Sequence, residues 1–155
     1  MAELIVSDKQ ESIQNMNKKI FLHFIKPDFL PIESEFVNIN EIDKLDNEGC
    51  DLIYMSDVLD YISYNEATSL LDHVFSKLSA SGEIIIQSVD LYHLASAIVF
   101  DNIDIETSKL ILYGNNKKNI FTIYDIQTEL ANRKIDIVEQ KYVNIFEYYI
   151  RAKKS

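Results

Sequence analysis

Cysteine, glycine, proline and tryptophan are all scarce in this chain, and each shortage excludes something. One cysteine in 155 residues, Cys50, leaves no intramolecular disulfide and no multi-cysteine zinc site. Three glycines, Gly49, Gly82 and Gly114, leave no room for a glycine-rich phosphate loop. The three histidines have no HxxxH or HxH spacing, so no metal site is expected. A G-x-S-x-G nucleophile elbow is absent. No apolar run approaches the roughly 20 residues that span a bilayer, and Met1–Ser12 lacks the basic-then-apolar pattern of a secretory signal. A cytoplasmic protein is therefore expected.

Positive charge is also short. Lys and Arg number 15 against 25 Asp and Glu, a net charge of −10. That balance opposes binding to nucleic-acid phosphates or anionic lipid surfaces, so neither is expected as a partner. What is present is ordinary for a globular domain: 47% hydrophobic and 26% charged residues. The length suits one domain. Residues 1–19 read as a polar leader, poorly ordered or a short helix, and residues 20–155 as one α/β domain without repeat or linker.

Along that domain, KIFLHFI from Lys19 reads as a first strand and EFVNI (Glu35–Ile39) as a second, with Pro27 and Pro31 punctuating the link. Only a helical turn around Ile42–Leu45 fits before a third strand, Asp51–Ser56. Ser63, three residues before Glu66, forms a capping-box pattern. Ala67, Leu70, Leu71, Val74, Phe75 and Leu78 then recur at helical spacing. This helix is expected to end near Ser79, with Gly82 in a tight turn and Glu83–Ser88 as the fourth strand. Strand, capped helix and strand make a βαβ unit with parallel strands. Helices follow over 91–100, 105–112 and 123–131, the last opened by Thr122 and Asp125, with Asn132 suited to a left-handed C-cap. Ile135–Val138 and Tyr142–Ile150 are expected to pair as an antiparallel hairpin. The fold class is a three-layer α/β open sheet of Rossmann-like type.

Open parallel sheets bind ligands beyond the carboxyl ends of their strands. Four loops reach that edge: Phe24–Phe29, Asn40–Ile42, Asp57–Tyr61 and Ser88–Tyr92. The first reads FIKPDF, with Lys26, Pro27 and Asp28 where a ligand-cradling loop would have glycine. Asp57 and Asp60 follow the third strand beside Tyr61 and Tyr64. They suit general-acid, metal or amine-binding work, or simply the start of a helix. Asp90 has the same two readings, as a site group or as an N-cap. His23 reads as a partly buried strand residue and Cys50 as a small hydrophobe.

The run DLIYMSDVLDYI, followed by LLDHVFSKLSASGEIIIQSVD, resembles the central block of class I S-adenosylmethionine (SAM)-dependent methyltransferases, especially small sugar- or lipid-associated members. The matching family pattern is a strand, an "HVLEH" segment, a helix and "LKPGGRLIIEVPD". Here the segment is Asp57-Val58-Leu59-Asp60-Tyr61 and the later turn Leu78-Ser79-Ala80-Ser81-Gly82. Leu112-Tyr113-Gly114 resembles the family's "lfGg", and Thr122 to Ile137 its late helix and penultimate strand. IFLHF and EFVNIN resemble "LHLGcG" and "yiNvD". The resemblance covers most of residues 20–150. It implies a methyltransferase-type sheet, one strand short because the family's third strand is missing.

The same resemblance places Ile25, Lys26, Pro27 and Asp28 where the family's glycine loop wraps the methionine part of SAM. It places Asn40 where an acid holds the ribose hydroxyls. The resulting expectation is a degenerate methyltransferase-like protein, non-catalytic, without a cofactor, acting through a protein partner or as a homo-oligomer. The alternative is a SAM-dependent methyltransferase with an atypical pocket, acting on an oxygen or nitrogen of a small-molecule or sugar acceptor. If active, its catalytic residues would be Asp57 and Asp60. SAM would be held by Phe24, Asp28, Asn40, Ser56 and Asp57.

Overall fold

The structure is a computed structural model describing residues 18–30, 33–114 and 117–154. Most of the expected leader, residues 1–17, lies outside the described residues. Among the described residues six strands form one sheet in the order β2-β1-β3-β4-β6-β5. The strands are β1 (Lys19–His23), β2 (Glu35–Asn38), β3 (Cys50–Ser56), β4 (Leu78–Val89), β5 (Ile135–Tyr142) and β6 (Glu147–Lys154). β2, β1, β3 and β4 run parallel. β6 lies antiparallel to both β4 and β5. This is the expected Rossmann-like α/β sheet with a terminal hairpin, and β2 is its outer strand.

The helices are α1 (Tyr64–Lys77), α2 (Leu91–Val99), α3 (Ile105–Tyr113) and α4 (Ile123–Asn132). Ser63 opens α1 with the expected capping box, its hydroxyl accepting the Glu66 N–H while the Glu66 carboxylate accepts the Ser63 N–H. Thr122 and Asp125 do the same for α4. Each box satisfies two backbone donors that a helix start leaves open. β2 and β3 are joined by a 3-10 turn, Ile39–Lys44, where the sequence allowed only a helical turn.

Alternation in the strands sends Ile20, Leu22, Ile53, Met55, Ile84, Ile86, Tyr148 and Ile150 to one face. There they pack with Ala67, Leu71 and Val74 of α1 and Ile126 and Leu130 of α4. Burying each such side chain contributes about 1.5–3 kcal/mol. Arg133 clamps α4 to α1 beside this core. Its Nε donates to Asp72 Oδ1 at 2.7 Å, and its Nη atoms donate to the Glu129 carboxylate and to the carbonyls of Glu129 and Thr68. Arg133→Met is expected to cost about 2–3 kcal/mol, because the half-buried Glu129 loses its cation. A fall in the urea midpoint with unchanged slope is the measurement.

Three boundaries differ from the sequence reading. α1 ends at Lys77, and Gly82 lies inside β4 at an irregularity: Cys50 pairs with Leu78, then Leu52 with Glu83. Residues 79–82 are thus a bulge rather than a tight turn. The hairpin strands are 135–142 and 147–154, because Asn144 Oδ1 accepts the N–H groups of Phe146 and Glu147 and sets the turn at 143–146. Asn132 stays helical. Lys134 is the left-handed residue, with φ 56°, while Arg133 caps the helix.

Candidate functional site

The carboxyl ends of β3 and β4 carry the acidic groups. Asp57 follows β3 in the left-handed region, φ 59°, a strained conformation for a residue with a Cβ. Its N–H donates to Gln87 O at 2.8 Å, fixing it against β4. The next residues form a 3-10 turn, Leu59–Tyr61, which drives Asp60 inward to complete burial. Ser88 near the end of β4 joins the two acids. Its hydroxyl lies 2.7 Å from Asp60 Oδ2 and 3.3 Å from Asp57 Oδ1.

The segment before α4 closes over Asp60. Lys118 and Asn119 donate their backbone N–H groups to Asp60 O at 2.7 and 3.1 Å, and Lys117 Nζ lies 3.7 Å from Asp60 Oδ2. Burial pushes the Asp60 carboxyl up to about 7, against the pull of Ser88 and Lys117 and with help from Asp57. Asp57 is raised too, first by burial and then by the Glu147 carboxylate. Asp60 Oδ1, Asn119 Nδ2 and Tyr148 Oη are buried with no hydrogen-bond partner among the described residues.

The β1–β2 side of the edge is aromatic. His23, Phe24 and Tyr61 pack edge to face, the centroids of His23 and Phe24 lying 6.2 and 6.4 Å from that of Tyr61. His23 Nδ1 accepts the Ile25 N–H at 3.0 Å, and burial lowers the ring's pKa, so the imidazole is neutral at pH 7. Asn38 Nδ2 donates to Phe24 O at 3.0 Å, tying the first loop to β2.

Of the expected site residues, Ser56 and Asp57 stand together at the end of β3, with Asp60 behind them. Phe24 is half-buried in the aromatic group, whereas Asp28 and Asn40 are exposed on separate loops. Asp90 is a structural cap: its carboxylate accepts from His93 N, Ile123 N and the Tyr142 hydroxyl. The sequence reading missed Lys117, Glu147 and Tyr148 as neighbours of the acids. The adjacency of β4 and β6 would have pointed to the last two.

No family profile matches the chain, and no curated protein matches it. Solved structures match by fold. The PH0226 protein of Pyrococcus horikoshii has a TM-score of 0.66 at 14% identity, covering 99% of this chain and 89% of its own. A SAM-dependent methyltransferase from Archaeoglobus fulgidus gives 0.61 at 15%, covering 99% and 95%. Magnesium protoporphyrin IX methyltransferase from Synechocystis, solved with bound S-adenosylhomocysteine (SAH), gives 0.54 at 15%. It matches 79% of this chain, which spans about half (52%) of the longer enzyme. The chain thus has the class I SAM-dependent methyltransferase-like fold. Among the described residues no helix is long and apolar enough to cross a membrane, and no group of three or more His, Cys, Asp or Glu could hold a metal ion.

Proposed function

We propose that this chain is a SAM-dependent methyltransferase with an atypical cofactor crevice, passing a methyl group to an oxygen or nitrogen of a small acceptor. The observation that carries the reading is Asp60: a buried carboxyl that exchanges its proton near neutrality, coupled through Ser88 to Asp57 at the strand ends. A titratable pair shifted by burial in that position is the expected signature of acid–base work. The fold similarity to methyltransferases supports the same reading.

The residues fit SAM in part. A positively charged sulfonium is compatible with Asp57 and Asp60, and Ser56 lies on the same strand end. Phe24, Asp28 and Asn40 would contribute side chains where the glycine loop and ribose acid of the family are absent. When bound, SAM supplies an electrophilic methyl group. Asp57 orients the acceptor, and Asp60 removes its proton, being about half ionised at pH 7. Proximity and alignment supply the rest.

Calorimetric titration with SAM and SAH is expected to give micromolar binding. Asp57→Asn is expected to abolish transfer of a labelled methyl group while leaving that affinity nearly unchanged. Absence of binding by either molecule at millimolar concentration overturns the reading.

A second reading has its own observation. α2 and α3 expose Val99 (74%), Phe100 (71%), Leu110 (69%) and Tyr113 (77%), a concentration of apolar surface suited to a protein partner or a second copy. With the packed His23, Phe24 and Tyr61 rings, this favours a non-catalytic interaction domain in the cytoplasm. The same titration decides between the two.

A further inference from the structure

We infer that the acidic strand-end cleft is a seat for a small ammonium ligand, held between Asp57 and Glu147 with Asp60 and Tyr148 beneath. The seat itself needs no SAM. On the methyltransferase reading above, its occupant is the methyl acceptor, a primary or secondary amine.

The sign of the charge comes first. Asp57, Asp60 and Glu147 converge from β3, the turn after it and β6. Asp60 has Lys117 at 3.7 Å, but among the described residues neither Asp57 nor Glu147 forms an ion pair. Lys117 is itself drawn in until its side chain is only 10% exposed, so the chain's own ammonium already occupies one side of the cleft. An anion would meet three carboxylates here, and a cation two unpaired ones.

The surroundings then select the kind of cation. Tyr54 Oη donates to Gln87 Oε1 at 2.8 Å, and Gln87 Nε2 donates to Glu147 Oε2 at 3.4 Å, so Glu147 is held beside β4 and faces the cleft as an acceptor. Phe21 stacks on Tyr54 at 5.7 Å and on His23 at 6.0 Å, giving an aromatic floor. Carboxylates over aromatic faces favour a compact ammonium with a short apolar stem.

Hydrogen-bond arithmetic gives an independent argument. Tyr148 pairs directly with Ser88 across the β4–β6 ladder, and Ser88 bonds both acids. Tyr148 Oη is fully buried and unpartnered, as is Asp60 Oδ1. These orphaned acceptors need donors. An ammonium group brings three N–H donors and an alcohol one.

The chemistry balances without another group. The ammonium gives one proton to the Asp60 carboxylate, leaving a neutral amine. Its nitrogen lone pair forms the new N–C bond as the S–C bond of a sulfonium donor breaks, and that bond's electron pair stays on sulfur. The product leaves as a methylammonium ion.

The test uses the full chain without SAM, in low salt, titrated with benzylamine and with its neutral isostere benzyl alcohol, followed by amide NMR shifts. Benzylamine is expected to bind at least tenfold more tightly, with the largest shifts at Asp57, Ser88 and Glu147. Asp57→Asn and Glu147→Gln are each expected to weaken it tenfold or more, whereas Asp43→Asn, on the 3-10 turn after β2, leaves it unchanged. Equal binding of amine and alcohol by the unaltered chain overturns the seat, whatever the variants do. So does amine binding that both carboxamide variants retain. SAM calorimetry is scored separately: amine preference without SAM binding keeps the seat and removes the methyltransferase reading, and SAM binding without amine preference does the reverse.

Discussion

Asp60→Asn is expected to strengthen the fold above neutral pH while abolishing methyl transfer. The carboxyl sits at about 7 in the folded chain against 3.8 for the model group, so between those values the native state binds the extra proton. Stability contributed by this group is therefore present at low pH and lost as pH rises from about 4 to about 7, at up to roughly 1.4 kcal/mol per unit. Asparagine copies the protonated form, still accepting from Ser88, and cannot ionise. It leaves Lys117 without its counterion, which offsets part of the gain. A net stabilisation of about 2 kcal/mol at pH 8, and little at pH 5, is expected. Urea denaturation of both proteins at the two pH values measures it. A destabilised variant at pH 8 would mean that the Lys117 pair outweighs the burial of the charge.

Gly82→Ala is expected to be among the most damaging small substitutions in the chain. A Cβ at Gly82 would lie 2.9 Å from Cys50 O and 2.9 Å from Ser79 N, both backbone atoms, and 3.1 Å from Leu78 Cβ. Neither backbone atom can swing aside as a long side chain could. Cys50 O belongs to the central strand β3, and Ser79 N to the bulge that lets β4 re-enter register at Glu83. Added bulk against a packed neighbour costs about 1–3 kcal/mol, and a rigid backbone puts this position at the upper end. A loss of about 3 kcal/mol in urea is expected, with Gly114→Ala as the contrast, since nothing lies within 4 Å of a Cβ there.

These two positions also show what the sequence could and could not convey. Capping boxes at Ser63 and Thr122 were legible because their hydrogen bonds span three residues and leave a local signature. The βαβ unit was legible because α1 and the strands beside it have clean periodicity. Gly82 was misplaced because its role is set by Cys50, 32 residues away in sequence, and a bulge carries no local pattern. The hairpin shifted because Lys141 and Tyr142 extend β5 as exposed, paired residues, which no hydrophobic alternation announces. At the site, Asp57 and Asp60 were legible from their place after a strand. Lys117, Glu147 and Tyr148 were not, since only the order of β4 and β6 and the return of the 117–119 segment bring them near.

The lone thiol gives the molecule a built-in clock. Cys50 is fully buried at the start of β3, paired with Leu78 where β4 begins, and burial raises its pKa. It stays inert to a colorimetric disulfide reagent for as long as that junction holds. Labelling kinetics at this one sulfur atom then time the opening of the central sheet, free of any competing signal and without an engineered probe.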